Sequence, residues 1–362
     1  MSGSFVSDLR RVGATLPAII DDSNVNEIDK LSKLNFNDIY MAEDGRAFMR
    51  GLETKFKNRT PPLTGIPLGV KSEMSLLQKR VFKKGENSDS FFEDFEGMRF
   101  RVTKMPAITG TWYTLRRSLW PIPRFPILKG IPPIVPKTLG RLGRPSEGTG
   151  LILFCGETGS GKTTTACSLL QEYLLSYGDI ASTIEDPVEL LMEGPYGPNA
   201  HGFCFQHEVV QNNFEQAMKR ALRETPRYIF FGEIRGRQEA KEALMASING
   251  HVVISTIHAG NVKQGLDRLV SLASDNGSVE LARQELSMGI KAVIHQRLLM
   301  NEDSPGKRLD MECLFIHDDD TRIRHLIAQG ETRQLSYDLE RQAIKINRDE
   351  SPIDYDFSKT SR

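Results

Sequence analysis

The stretch Gly156–Thr163, GETGSGKT, matches the pattern G-x-x-x-x-G-K-[ST] of a phosphate-binding loop. The apolar run 151–155 precedes it, and a helical pattern over 164–177 follows it. Glycines let backbone N–H groups approach phosphate oxygens, and a helix N-terminus favours negative charge. The stretch therefore predicts a strand, a loop and a helix that together bind a nucleoside triphosphate.

Within such a loop each side chain has an expected contact. Lys162 should reach the β- and γ-phosphates of ATP, and Thr163 should hold Mg²⁺. A chance glycine-rich turn is the alternative, but it does not account for the strand, the Lys-Thr pair and the helix together. The predicted ATP-binding residues of the loop are Gly156, Thr158, Gly159, Ser160, Gly161, Lys162, Thr163 and Thr164.

After the loop, apolar runs alternate with helical patterns. The runs 180–184, 228–231 and 252–257 predict buried strands, and helical spacing begins after Asn213 and again near Ala240. This alternation predicts a mainly parallel sheet with helices on both faces. Because ligands bind at the carboxyl ends of such strands, the polar residues that follow them should meet at one edge.

Polar residues follow three of these strands. Glu233 can orient or deprotonate an attacking water, although Gly232 stands where an Asp that anchors Mg²⁺ is common. Glu185 and Asp186 could hold Mg²⁺ through water or position the nucleophile, whereas the same two residues before a proline indicate only a turn. His258 could contact the γ-phosphate. We expect Glu233, Glu185 and His258 to be catalytic.

Proline content divides the chain. Seven of its 18 prolines fall between Pro121 and Pro145, which predicts a stiff, extended connector over 123–145. Residues 1–122 then form a mixed α/β domain, 146–340 the nucleotide-binding domain, and 341–362 a polar, loosely ordered tail. The segment 10–22 loosely resembles a signal peptide but lacks a small-residue cleavage site, so we assign it to the first domain.

Charge does not favour a protein that coats nucleic acid, since Lys+Arg and Asp+Glu are both 47. Residues 98–146 nevertheless contain ten Lys and Arg and no Asp or Glu. Three interpretations stay open: a nucleic-acid surface, arginines directed at nucleotide phosphates, and a solvated basic face.

Metal and membrane signals are weak. His201, Cys204 and His207 have metal-site spacing, but an extended segment would turn Cys204 away from both histidines, so no metal is predicted there. No stretch approaches the roughly 18 apolar residues that span a bilayer, so no transmembrane segment is predicted. The cysteines lack C-x-x-C spacing, which fits a reduced, intracellular setting.

The four motifs, in this order, resemble those of the type II/type IV secretion ATPase family, which includes pilus extension and retraction motors. Gly156–Thr163 is similar to its Walker A motif and 183–189 to its Asp box. Residues 221–235 resemble its Walker B region, including the glycine at position 232, and 250–258 resemble its His box. The likeness is strong from about 130 to 300 and weaker in the first domain.

This resemblance implies a RecA-like P-loop domain with a mainly parallel sheet, and a smaller α+β, PAS-like N-terminal domain. It implies a homohexamer that binds ATP and Mg²⁺ between the two domains. Glu185, Glu233 and His258 would be active-site residues, and Arg101 and Arg116 would contact the phosphates. It also implies a cytoplasmic protein at the inner membrane, with membrane components of a secretion, conjugation or pilus apparatus as partners and no direct contact with nucleic acid.

Two departures from the family pattern indicate which secretion or pilus system the protein serves. The chain lacks the four-cysteine segment usual in extension and type II secretion members, which favours a retraction-type or type IVB ATPase. The segment 285–290 does not match the motif of retraction members, which favours a type IVB secretion or conjugation ATPase, with pilus retraction as the alternative. A RecA-like nucleic-acid translocase and a nucleotide-gated scaffold are hypotheses of other classes.

Overall fold

A computed structural model describes residues 28–52, 63–119, 121–128, 130–209, 213–274, 279–300 and 307–353. The chain divides into two units, Met1–Pro121 and Ile122–Arg362. The segment 10–22 and the last residues of the predicted tail, 354–362, lie outside the described residues.

The first unit is built on a six-stranded antiparallel sheet with the order β3-β2-β1-β6-β5-β4. Its strands are β1 (Asp38–Ala42), β2 (Ala47–Arg50), β3 (Leu63–Gly65), β4 (Ser90–Phe95), β5 (Met98–Ala107) and β6 (Gly110–Ser118). Alternate residues of β5, such as Phe100 and Val102, are buried in one core with Leu77 and Val81 of helix α1 (Lys71–Gly85). The period of two thus gives this sheet one apolar face, which the helix helps to cover.

The second unit contains an eight-stranded sheet with the order β14-β13-β7-β12-β11-β8-β10-β9. The strands from β13 to β10 in this order are parallel, and β14 and β9 add antiparallel edges. The strands are β7 (Gly150–Cys155), β8 (Asp179–Glu185), β9 (Gly194–Tyr196), β10 (Gly202–Glu208), β11 (Tyr228–Phe231), β12 (Val252–Ile257), β13 (Ile290–Met300) and β14 (Lys307–Phe315). The predicted mainly parallel sheet is confirmed.

Helices cover both faces of this sheet. They are α2 (Ile134–Leu142), α3 (Lys162–Ser176), α4 (Phe214–Leu222), α5 (Arg237–Ile248), α6 (Val262–Ala273), α7 (Val279–Gly289), α8 (Thr321–Gln329) and α9 (Ser336–Asn347). Leu151 and Leu153 of β7 belong to one core with α4 to α8, while Ile152 and Phe154 belong to another with α2 and α3. Because both faces are covered, the central strands β7 and β11 are continuous apolar runs that do not alternate with polar residues.

The prediction of an extended connector over 123–145 was wrong. This stretch contains α2, and its side chains Phe125, Val135 and Leu139 are buried in the core that Tyr173 of α3 also joins. Pro136 lies in the first turn of α2, where the backbone N–H needs no partner within the helix. The proline-rich stretch is therefore part of the second unit.

The predicted tail is also corrected, because α9 extends through residue 347. Its buried side chains Leu339, Gln342 and Ile346 follow helical spacing, and the Gln342 amide pairs with the backbone N–H and C=O of Phe315. Ile353 is buried as well. Apart from the buried Gln342, the polar residues of α9 after Leu339 are exposed or partly exposed on a packed helix.

Candidate functional site

The carboxyl ends of four neighbouring strands form one edge of the second sheet. β7 leads into the phosphate-binding loop, and β12, β11 and β8 follow it in the sheet. The parallel register pairs Cys155 with Ile257, and Phe231 with both Ser255 and Ile184. The loop, His258, Glu233 and Glu185 therefore lie at one edge, as the strand pattern predicts.

Lys162 opens helix α3, and its ammonium group closes the loop. The Nζ atom donates to the carbonyl oxygens of Gly156 and Glu157, both at 2.9 Å. Burial lowers the pKa of Lys162, and the carboxylates of Glu233 and Glu189 act in the opposite direction. The preceding Gly161 has φ 85°, a conformation that costs glycine little. The loop thus places a partly desolvated cation at the start of a helix.

The other predicted residues of the loop differ in exposure. Thr158 and Gly159 are exposed, and Thr163 and Thr164 are partly exposed. Ser160 is buried, and its Oγ has no hydrogen-bond partner among the described residues. A buried hydroxyl without a partner costs free energy, so this atom suits a ligand oxygen.

Gln296 of β13 holds the phosphate-binding loop through a hydrogen bond to its backbone. Its Nε2 donates to the carbonyl oxygen of Ser160 at 2.7 Å, and the residue is fully buried. A Cβ on Gly156 would lie 2.4 Å from the backbone oxygen of Gln296, so only glycine fits there. The strand pattern did not identify Gln296. No local signal marks it, because Gln296 stands between His295 and Arg297 in the sequence.

Glu185, at the end of β8, is buried with 2% exposure. Its Oε1 accepts hydrogen bonds from Thr183 Oγ1 at 2.7 Å and Gln206 Nε2 at 2.9 Å. Burial raises the pKa of Glu185 to about 7, although these two donors and the backbone N–H of Glu189 lower it. A carboxyl group with this pKa can exchange a proton near neutral pH.

Close packing against Glu185 leaves little room for a side chain at position 232. A Cβ at this position would lie 3.1 Å from Cγ of Glu185, closer than ordinary van der Waals contact. The backbone of Gly232 is held between strands, since its N–H donates to Ile184 O and its carbonyl oxygen accepts from Thr256 Oγ1. The glycine therefore makes room for the buried carboxyl group where an Asp is common in other P-loop proteins.

Glu233 is half-buried after β11 and forms an ion pair with Arg235, whose Nε lies 2.6 Å from Oε2. Arg235 also donates to the carbonyl oxygen of Asp186 at 3.3 Å. This arginine thus links the ends of β11 and β8. His258 is exposed directly after β12. The sequence pattern did not identify Arg235, because its second partner, Asp186, is brought beside it only by the strand order.

Arg101 and Arg116 belong to the first unit, where they are partners across β5 and β6. Arg116 Nε lies 3.0 Å from Oδ1 of the buried Asp38. Nearby Arg99 pairs with Asp94 at 2.6 Å. The basic stretch is therefore partly neutralised by carboxylates outside it, and the role of Arg101 and Arg116 at a nucleotide stays a prediction.

The residues with metal-site spacing have other contacts. A ring nitrogen of His201 lies 3.1 Å from the carbonyl oxygen of Leu175, Cys204 is buried, and His207 lies 2.9 Å from Glu224. Among the described residues, no group of three or more His, Cys, Asp and Glu side chains could hold a metal ion.

Within the part of the chain that the structure describes, no helix has the length and apolar character that crossing a membrane requires.

Known proteins resemble this chain over most of its length. It is 31% identical over 296 residues to the type IV pilus ATPase PilU of Pseudomonas aeruginosa, covering 78% of this chain and 72% of that protein. The crystal structure of the pilus retraction motor PilT with bound ADP superposes with a TM-score of 0.67 at 26% identity, covering 89% of this chain and 90% of that one. The Legionella pneumophila ATPase DotB shares the fold, with a TM-score of 0.59 at 20% identity over 87% and 88% of the two chains.

These likenesses agree with the motifs at the sheet edge and with a RecA-like P-loop domain. The PAS-like assignment of the first unit stays a prediction. The model of the family described as type II/IV secretion system protein matches residues 70–338. The chain therefore belongs to the type II/IV secretion system ATPase family.

Proposed function

We propose that this protein hydrolyses ATP as a ring-forming motor, most simply a homohexamer. The observation that carries the proposal is the single sheet edge at which the phosphate-binding loop, Glu185, Glu233 and His258 meet. Phosphoryl transfer to water requires a phosphate cradle, a cation and a group that orients the water. At this edge the phosphate-binding loop is the cradle, Lys162 is the cation, and Glu233 is the group that orients the water.

Each residue has a defined task in this proposal. Lys162 neutralises charge on the β- and γ-phosphates, after exchanging its contacts to Gly156 O and Glu157 O for phosphate oxygens. Glu185, with a pKa near 7, accepts the proton of the attacking water, and Glu233 orients that water. His258 contacts the γ-phosphate from the exposed end of β12.

The side chains also fit a Mg²⁺ ion that accompanies ATP. Thr163 presents a partly exposed hydroxyl in the first turn of α3, and Glu185 could act through water. Oxygen donors of this kind suit Mg²⁺, and the unpartnered hydroxyl of Ser160 marks a position for a ligand oxygen. When bound, the ion would offset negative charge on the phosphates.

Two substitutions test the assignment. Lys162→Ala should weaken ATP binding by about tenfold or more, because it removes the charge directed at the phosphates. Glu233→Gln should retain ATP binding and lower kcat by about 100-fold or more, because the variant lacks the carboxylate that orients the attacking water. Fluorescent-nucleotide binding and phosphate release measure the two effects separately.

Glu215→Gln is the matched control, since Glu215 is an exposed residue of α4 whose ion-pair partner among the described residues is Lys219. It should turn over ATP at the wild-type rate. Wild-type turnover by Glu233→Gln would remove that residue from the mechanism.

Pilus retraction is the first candidate for the powered process. The chain is 31% identical to the pilus ATPase PilU over 296 residues, and its structure superposes on the pilus retraction motor PilT. Type IVB secretion or conjugative transfer is the second candidate, because residues 285–290, at the end of α7 and the start of β13, depart from the retraction motif. In both cases we propose a position at the cytoplasmic face of the inner membrane, with membrane components as partners.

A gene deletion in the source organism separates the two candidates. Pilus retraction predicts loss of twitching with retained pili, whereas the second candidate predicts normal twitching with loss of substrate or DNA transfer. Complementation by wild type but not by Glu233→Gln should accompany either result.

A further inference from the structure

Gln206 lies on β10 beside β8 and uses both ends of its amide group. Its Nε2 donates to Glu185 Oε1 at 2.9 Å and to Leu190 O at 3.0 Å. Its Oε1 accepts from the backbone N–H groups of Met192 at 2.5 Å and Glu193 at 2.9 Å. An amide offers two N–H donors and two acceptor sites, so these four bonds saturate it and determine its orientation.

The strand register explains why Gln206 meets Glu185. Gln206 is the partner of Thr183 across the parallel pair β8 and β10, and Glu185 is two residues beyond Thr183. Because side chains alternate along a strand, all three share one face of the sheet. Thr183 Oγ1 donates to the same Oε1, so donors from two neighbouring strands converge on one carboxyl oxygen.

The same amide also holds the segment that follows Glu185. Leu190, Met192 and Glu193 contribute backbone groups, and Leu190 and Met192 are buried. One side chain therefore connects the carboxyl group at the end of β8 to the chain that covers it. Hydrogen bonds of this kind fix the rotamer of a reactive group without contact to the substrate.

We propose that Gln206 is a positioning residue for ATP hydrolysis, which orients the Glu185 carboxyl group towards the attacking water. This inference rests on the proposed function, in which Glu185 takes part in the reaction. Gln206 acts through Glu185, so its loss should slow turnover and leave nucleotide binding unchanged.

Two substitutions at Gln206 separate orientation of Glu185 from support of the backbone. Gln206→Met removes all four hydrogen bonds with a side chain of similar length. Gln206→Glu keeps an acceptor for the N–H groups of Met192 and Glu193 but cannot donate from its ionised form to Glu185 or Leu190 O. Gln171→Met is the control, because the hydrogen bond of Gln171 within the part of the chain that the structure describes runs to Ile122 O at 3.3 Å, away from the sheet edge.

Both Gln206 variants should lower kcat by about tenfold or more, because small misplacements of a reacting group are costly. KM for ATP and Kd for ADP should stay within about twofold of wild type, since those contacts come from the P-loop. Gln171→Met should match wild type. A Gln206→Glu protein with wild-type kcat would show that Gln206 only supports the backbone, and would overturn the proposal.

A double-mutant cycle with Glu185→Gln completes the test. If Gln206 acts through Glu185, Gln206→Met should lower kcat by less than about twofold in the Glu185→Gln background. Additive losses overturn the positioning role. If Glu185→Gln loses turnover while the Gln206 variants turn over ATP at the wild-type rate, this inference alone is wrong. Wild-type turnover by Glu185→Gln defeats the proposed role of Glu185 and this inference together.

Discussion

At the residue scale, Gly232 is a consequence of the buried carboxyl group beside it. A side chain at position 232 would have to occupy space within 3.1 Å of Glu185 Cγ. An Asp there would also bring a second carboxylate next to a buried one, and like charges in a dry site are costly. The glycine and the buried glutamate therefore depend on each other.

Gly232→Asp should destabilise the protein by about 1–3 kcal/mol, the range for overpacking a core position, and should lower kcat by more than about tenfold. Chemical denaturation and phosphate release measure the two effects. Gly65→Asp is the control, because a Cβ at Gly65 meets no atom of the described residues within 4 Å. A fully stable and active Gly232→Asp protein would contradict the close packing.

The pKa of Glu185 predicts a pH dependence of turnover. Burial raises this pKa to about 7, and the proposed base is the ionised form. Turnover should therefore increase with pH, by about tenfold from one unit below this pKa to one unit above it. The measurement is kcat at saturating ATP and Mg²⁺ from pH 6 to 8. Glu185→Gln should remove the rise, and an unchanged rise in that variant would assign the dependence to another group.

At the element scale, β13 determines the shape of the phosphate-binding loop. Gln296 ties this strand to Ser160, and its backbone leaves room only for glycine at position 156. Gln296→Leu should remove the support from the loop, leave the Ser160 carbonyl oxygen without its donor, and weaken ADP binding by about fivefold to tenfold.

Isothermal titration of ADP measures this effect. Gln171→Leu, which removes a single hydrogen bond to Ile122 O, should retain wild-type affinity. Equal affinity in Gln296→Leu would mean that the loop holds its shape without β13.

Local pattern was sufficient to predict the loop and the strands over 180–184, 228–231 and 252–257, because burial on both faces requires continuous apolar runs. Gln296 could not be predicted in the same way, because its partner Ser160 lies 136 residues earlier in the chain. Helix α2 does not follow from the sequence pattern, because clustered prolines usually indicate extended chain, whereas Pro136 lies in the first turn, where a helix tolerates proline.

At the scale of the whole molecule, the proposed machinery is divided between two units. The sheet edge with Lys162, Glu185 and Glu233 belongs to Ile122–Arg362, whereas Arg101 and Arg116 belong to Met1–Pro121. If those arginines complete the charge around the phosphates, an isolated second unit should bind ATP but turn it over slowly. A ring would bring arginines and P-loops of several subunits together.

The most direct test of the ring motor is ATP hydrolysis per protomer as a function of protein concentration in Mg²⁺, with molecular mass followed by light scattering in the same samples. We expect specific activity to rise steeply as the mass increases from monomer to hexamer, and then to level off. Constant specific activity in a protein that stays monomeric at every concentration would contradict a motor whose site is completed between subunits.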